Sequence, residues 1–212
     1  MTTSPTLAAI ETEHDVEFTL TYSMGEIVGS ADNGYHSDLN TWHVELIASK
    51  FEGDTETESF ETVAKMTLHS VDLEWGAEDG ALDVFDSYSD GIGSLAKTTF
   101  ENWGFVSRVI AVDTVEIDKA YRGKGIAPII LTKALHRIGG NTFCAILEAC
   151  PFYPEEMTAE EVKVAKKAIS ATWKRAGFTK VKGDYYILEG DYLNTEEVER
   201  KVRASLQKKR KK

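Results

Sequence analysis

Arg122-Gly123-Lys124-Gly125-Ile126-Ala127 stands where an apolar, strand-like run from Val109 to Ile117 gives way to a helical pattern from Ile126 to Ile138. Glycines at such a junction permit positive φ and let the main chain approach a ligand closely. The first amides of the helix that follows have no acceptor within the helix and point outward at its positive dipole end. Arg122 and Lys124 add charge. The stretch reads as a cradle for a pyrophosphate, built on a strand-turn-helix unit in the middle of the chain.

Two other glycine motifs are excluded. A dinucleotide fingerprint needs a glycine at position 128, where the chain has Pro128, and no βαβ unit followed by an acidic residue accompanies it. Gly91 to Thr98 approaches a P-loop, but Ala96 replaces the second glycine and an acidic helical pattern precedes it. The six residues instead fit R/Q-x-x-G-x-G/A, with Arg122, Gly125 and Ala127 at the defining places. This resembles the signature of the GNAT superfamily of acyl-CoA-dependent N-acetyltransferases, and the order of strand, loop and helix around it is similar too. The resemblance covers residues 105 to 190, and the first hundred residues by strand pattern alone. A run Leu82-Asp83-Val84-Phe85-Asp86 resembles a subgroup of the same superfamily.

The chain has 212 residues with a 42% hydrophobic share and 10% aromatics, enough for one sizeable core and unlike a disordered protein. No run approaches the ~18 apolar residues of a membrane span. Residues 1 to 20 carry Glu11, Glu13, Asp15 and Glu17 without a basic or long apolar segment, so no secretory signal is read and a cytoplasmic location is expected. Cys144 and Cys150 lie along one expected strand, roughly 20 Å apart if fully extended, and read as reduced thiols. An acyl-carrying Cys150 is the functional alternative, with no histidine beside it in sequence.

Eight of the 24 basic residues fall between Arg200 and Lys212, which leaves sixteen against 35 acidic residues in the preceding chain. So acidic a body favours cationic partners and disfavours nucleic acid, which only the basic tail could contact. That tail reads as solvated and disordered. The expected organisation is a disordered 1–14, a single domain over 15–193, and a basic helix or tail over 194–212.

Val16, Phe18, Leu20 and Tyr22 alternate with polar neighbours, as do Trp42, Val44, Leu46 and Ala48, and a third strand is expected over 60–73. Gly29 to Asn40 reads as a loop and Phe51 to Ser59 as a hairpin connection, so the first third is an antiparallel meander. From Ala81 to Trp103 the spacing turns helical. In the central strand the apolar side shifts parity from Ile110 and Val112 to Val115 and Ile117, which a β-bulge at Asp113-Thr114 would reconcile. Gly139-Gly140 stops the next helix. Phe143 to Leu147 reads as a strand buried on both faces and ended by Pro151. Thr158 and Glu161 form a capping box for a helix whose buried stripe is Val162, Ala165, Ala168, Ile169, Thr172, Trp173 and Ala176, with Gly177 at its end. A two-residue hairpin at Gly183-Asp184 follows. The fold class is α/β in the mixed α+β sense, a mostly antiparallel central sheet flanked by helices.

The resemblance implies an N-acetyltransferase that moves an acetyl group from acetyl-CoA, or a related acyl-CoA, to a primary amine of a small cationic molecule or a peptide. It implies that the amides of Gly123, Lys124, Gly125, Ile126 and Ala127, with Arg122, bind the pyrophosphate, and that the main chain of Val115 to Ile117 pairs with the pantetheine arm. It also implies that this strand splays from the next. An amide near Ile117 would stabilise the developing oxyanion. Glu116 is the first candidate base, Asp113 the second, and Asp118 reads as a loop residue capping amides. Variable loops, here Gly25 to Asn40 and Pro151 to Met157, would form the acceptor site.

Where many members carry tyrosine in Y-x-x-x-G-F, this chain has Trp173-Lys174-Arg175-Ala176-Gly177-Phe178, and an indole supplies no phenolic proton. Tyr153, Tyr185 and Tyr186 are the replacements considered. A non-catalytic acyl-CoA-binding or protein-interaction module on the same fold is the alternative, and a homodimer is compatible with either. His14, His36, His43, His69 and His136 lack ligand spacing, so no metal is expected.

Overall fold

Alternation of apolar and polar residues builds three long strands, β1 (Val16–Ile27), β2 (Leu39–Phe51) and β3 (Glu58–Asp72), paired antiparallel in sequence order. The computed structural model describes residues 16–27, 39–51, 58–73, 85–86, 93–94, 96–97, 106–140, 142–151, 154–190 and 193–210. β4 (Arg108–Ile117) adds antiparallel to β3, and β5 (Phe143–Glu148) adds parallel to β4 after helix α1 (Ile126–Gly139). Helix α2 (Ala159–Arg175) leads into β6 (Thr179–Lys180) and β7 (Tyr185–Glu189), and α3 (Thr195–Arg210) follows. The sheet order is β1-β2-β3-β4-β5-β7-β6, so β7 inserts beside β5 and the short β6 lies at the edge.

β5 is apolar on both faces because both are covered. Phe143, Ala145 and Leu147 join the large core beneath α1 and α2, whereas Cys144 and Ile146 join a smaller core on the opposite face with Val71, Phe85, Ala96, Val109 and Ala111. Phe85 and Ala96 are fully buried helical residues within the expected 81–103 segment; the rest of that segment, apart from Asp86, Gly93, Ser94 and Lys97, lies outside the described residues. Arg108 ties three elements together, bonding Asp72 at the end of β3 and the Ile138 carbonyl at the end of α1.

The expected parity shift in β4 is a register shift. Thr67 pairs with Thr114 and Leu68 with Val112, leaving Asp113 as the extra residue. The bulge turns Val115 and Ile117 to the same core face as Ile110 and Val112. The capping box of α2 is present: the Thr158 amide donates to Glu161 Oε2 at 2.8 Å and the Glu161 amide to Thr158 Oγ1 at 3.3 Å. At its other end Gly177 N donates to Lys174 O at 3.3 Å and Phe178 N to Trp173 O at 3.1 Å, the Schellman pattern. Tyr185 N donates to Lys182 O at 2.9 Å and closes the expected two-residue turn over Gly183-Asp184.

Several expectations need correction. Leu39 and Asn40 belong to β2, and Gly25 to Ile27 to β1, so the loop is shorter than read; residues 28–38, and 52–57 of the hairpin connection, lie outside the described residues. The C-terminal end is not a disordered tail through residue 210, although Arg200, Lys201 and Arg203 are solvated. It is α3, whose Val198 and Val202 are buried against Ile129 of α1, because a narrow apolar stripe at i, i+4 suffices to seat a basic helix. Residues 1–15 lie outside the described residues. No described helix is long and apolar enough to cross a membrane.

Candidate functional site

The glycine turn joins β4 to α1 through a short 3-10 turn, Lys119–Tyr121, capped as expected by the Asp118 carboxylate, which accepts from Ala120 N at 2.8 Å. Gly123 has φ +74° and Gly125 φ +76°. Gly125 is the N-cap of α1 and supplies no side-chain cap. Among the described residues the amides of Gly123, Lys124, Gly125, Ile126 and Ala127 find no acceptor. Pro128, third in the helix, has no amide hydrogen, so the unpartnered donors are confined to the turn and the first two helical residues.

β4 leaves its neighbour at the same place. Its ladder with β5 ends at Val112 and Leu147, and Ala149 N donates to Asp184 O at 2.8 Å, drawing the end of β5 toward the β6–β7 turn. Two bonds fix which main-chain groups of β4 face the gap. Leu73 N donates to Ser107 O and Asp118 N to Val63 O, each at 2.9 Å. Alternate residues of an antiparallel strand bond the same neighbour, so Thr114 and Glu116 direct their main-chain groups to β3, and Val115 and Ile117 direct theirs to the open side. Arg122 Nε donates to Ile117 O at 2.8 Å, which agrees with that phase. The amide of Ile117 and both main-chain groups of Val115 face the gap without a strand partner among the described residues.

Gap and turn open into one cavity of about 980 Å³. Of the candidate residues read from the sequence, Val115, Glu116, Ile117, Arg122, Gly123, Gly125, Ile126 and Ala127 line it. Lys124 does not: its ammonium lies 4.9 Å from the centre of the Tyr121 ring. The opposite wall is α2. Its stripe is therefore not a sealed core face, since only Trp173 of the helical residues is buried, while the exposed Ala168 and the half-buried Ile169 and Thr172 face the cavity.

Glu116 is exposed and stands across from Lys65 of β3, on the face of β4 opposite Val115 and Ile117. Asp113, at the bulge, lines the cavity with one carboxylate oxygen 3.7 Å from Nε2 of the buried His69; His69 Nδ1 is 3.0 Å from Thr41 Oγ1. The second candidate base is thus engaged with a histidine that the sequence, with the two residues far apart, did not bring to it. Glu148 and Cys150 also line the cavity. Glu148 was legible as the first charge after the apolar run of β5. Burial pushes the Cys150 thiol up, Lys166 opposes this, and Glu148, Asp184 and Glu155 add to it, so the thiolate that an acyl-carrying cysteine needs is disfavoured. Both cysteines are free.

Trp173 is 8% exposed, packs against Phe178 with ring centres 6.5 Å apart, and lines the cavity. Of the tyrosines considered in its place, Tyr153 lies outside the described residues and Tyr186 is buried in the core. Tyr185 packs against the smaller core on the other face, where burial foremost, and then Glu148, Asp184 and Cys150, raise its pKa. Among the described residues the tyrosine that lines the cavity is Tyr121, whose hydroxyl donates to Glu61 at 3.2 Å.

No family model and no curated protein matches the sequence. Two solved structures are similar in fold. Arabidopsis thaliana NAA60 in complex with acetyl-CoA is 13% identical, with 80% of this chain and 98% of that chain covered and a TM-score of 0.37. AtaTR bound with AcCoA is 11% identical, with 84% of this chain and 96% of that chain covered and a TM-score of 0.35.

Proposed function

We propose that the protein is an acyl-CoA-dependent N-acetyltransferase of the GNAT type, acting on a primary amine of a small cationic molecule or a peptide. One observation carries this reading: a run of five amides, residues 123–127, without acceptors among the described residues stands at the positive end of α1, and four of those residues, Gly123, Gly125, Ile126 and Ala127, line the same cavity as the edge of β4 beyond its ladder with β5. Outward-pointing amides at a helix start fit the twin phosphates of CoA, and an open strand edge fits the amide-bearing pantetheine arm. A Cβ on Gly123 would meet nothing within 4 Å, so the main chain there is open to a close-lying ligand.

The bound thioester supplies an acyl group already activated toward amines. Gly123 to Ala127 hold the phosphates, and Arg122 braces the turn against Ile117 while its charge faces the same cavity. Main-chain groups of Val115 and Ile117 align the arm. The Ile117 amide meets negative charge developing on the attacked carbonyl oxygen. Glu116 takes the proton from the acceptor ammonium, directly or through water; the free amine then attacks the thioester carbonyl, the C–S bond breaks as the C–N bond forms, and CoA leaves as a thiolate that takes its proton from solvent. Three carboxylates in the lining, Asp113, Glu116 and Glu148, favour a cationic acceptor. Free thiols fit a reducing, cytoplasmic compartment.

A second reading, an acyl-CoA-binding module without turnover, is favoured by the buried indole of Trp173 where the resemblance calls for a phenol. Calorimetry with CoA, followed by thiol release from acetyl-CoA over a panel of polyamines, aminoglycosides, amino acids and peptide amines, separates the two. Turnover with a cationic amine supports the enzyme, binding with silence across the panel supports the module, and no binding removes both.

A further inference from the structure

Helix α3 lies against the turn assigned above to the phosphates. A Cβ built on Gly125 would come within 2.3 Å of Val202 Cγ1, with Leu206 Cδ1 at 3.6 Å. The glycine at 125 therefore answers to α3 as much as to any ligand: its main chain is approached by the protein itself. Val202 is fully buried in a small cluster with Val198 and Ile129, flanked by Leu206, and Lys133 of α1 pairs with Glu199 of α3 at 3.4 Å. Three apolar contacts and one ion pair fix both the position and the rotation of α3 on α1.

Such a contact matters because the turn is otherwise weakly determined. Two glycines within three residues have wide backbone freedom, and ordering them is costly. If that cost falls on ligand binding, affinity drops; if a packed side chain holds the turn beforehand, it does not. We propose that Val202 is a positioning residue for the phosphate-binding turn, packing on the Gly125 main chain so that the C-terminal helix sets the affinity for the diphosphate part of the carrier. The phosphate role rests on the acyl-CoA reading; the packing role does not.

The test uses full-length Val202→Ala and, as a control elsewhere on α3, Val198→Ala. Val202→Ala is expected to weaken binding of both CoA and ADP by about fivefold, the scale of one freed glycine, while leaving pantetheine binding unchanged. Val198→Ala, which loosens the same helix without touching Gly125, is expected to lower the melting temperature comparably and leave CoA affinity in place. Equal weakening by the two variants, loss of pantetheine binding, or unchanged CoA affinity in Val202→Ala overturns the proposal. A thermal cycle covers the case of a poorly folded variant: Gly125→Ala should cost less in the Val202→Ala background than in the wild type, because the 2.3 Å contact is removed there. Equal costs refute the packing. If the wild type binds neither CoA nor ADP, the acyl-CoA reading falls and the phosphate role falls with it, while the cycle still decides whether Val202 holds the turn.

Discussion

Replacing Ala127 by proline removes one proposed phosphate donor and very little else. Ala127 is the second residue of α1, where an amide has no partner within the helix and where proline's fixed φ is compatible with the helical backbone. The neighbouring Pro128 shows that this turn already accepts a proline and a helical residue before it. Native stability should therefore change little, with a melting temperature within about 3 °C of the wild type. A hydrogen bond to a charged acceptor is worth about 1.5–3 kcal/mol, so CoA affinity should fall by about 10- to 150-fold. Calorimetry with CoA, ADP and pantetheine is the assay, with Ala127→Gly as the control that keeps the amide. Unchanged CoA affinity in a folded Ala127→Pro protein refutes the reasoning. So does an equal loss of pantetheine binding, which would report altered shape in place of a lost donor.

Other outcomes follow from the same geometry. Glu116→Gln should lower any measured turnover by about 100-fold or more without changing CoA affinity, and steady-state rates beside calorimetry check this; unchanged turnover would place the base elsewhere. Hydrogen bonds from the Thr158 side chain and amide hold the Glu161 carboxyl below its ordinary pKa. A lowered folded-state value means stabilisation that is present above the ordinary carboxylate pKa and lost as pH falls through the folded one. Loss of the Thr158 cap in Thr158→Ala should lower the melting temperature near neutrality by about 2–4 °C, with the gap narrowing as the solution is acidified through the carboxylate range. Because burial raises the thiol pKa of both cysteines, alkylation should be slow near pH 7 and rise above the ordinary thiol range at Cys150, which saturating CoA should protect; Cys144, fully buried, should stay unreactive. Mass spectrometry of the labelled peptides reads both sites, and rapid labelling of Cys150 at neutral pH would contradict its placement.

What the sequence disclosed was local. The bulge at Asp113 was legible because parity along one strand cannot change without an extra residue, and the capping box because Thr158 and Glu161 are three residues apart. Buried strand β5 was legible from an unbroken apolar run, although that run says nothing of β7 lying beside it. What escaped depends on distant partners. The stripe of α2 predicted burial, yet a helix wall facing an open cavity carries the same spacing as one facing a core. His69 meets Asp113 only through the register of β3 against β4. For 194–212 a basic helix or tail was legible but its seat was not: Val198, Val202 and Leu206 recur at helical spacing among eight basic residues after position 199, and nothing local shows that the stripe meets Ile129 of α1. Gly125 illustrates both sides, since its positive φ was anticipated while the side chain pressing on it was not.

Amide chemical shifts of residues 123–127 during titration with CoA, ADP and pantetheine test the central claim most directly. Donation to phosphate predicts downfield movement of the Gly123 to Ala127 amides with CoA and with ADP, and none with pantetheine, which should instead move Val115 and Ile117. Saturation with CoA that leaves those five amides in place would contradict it.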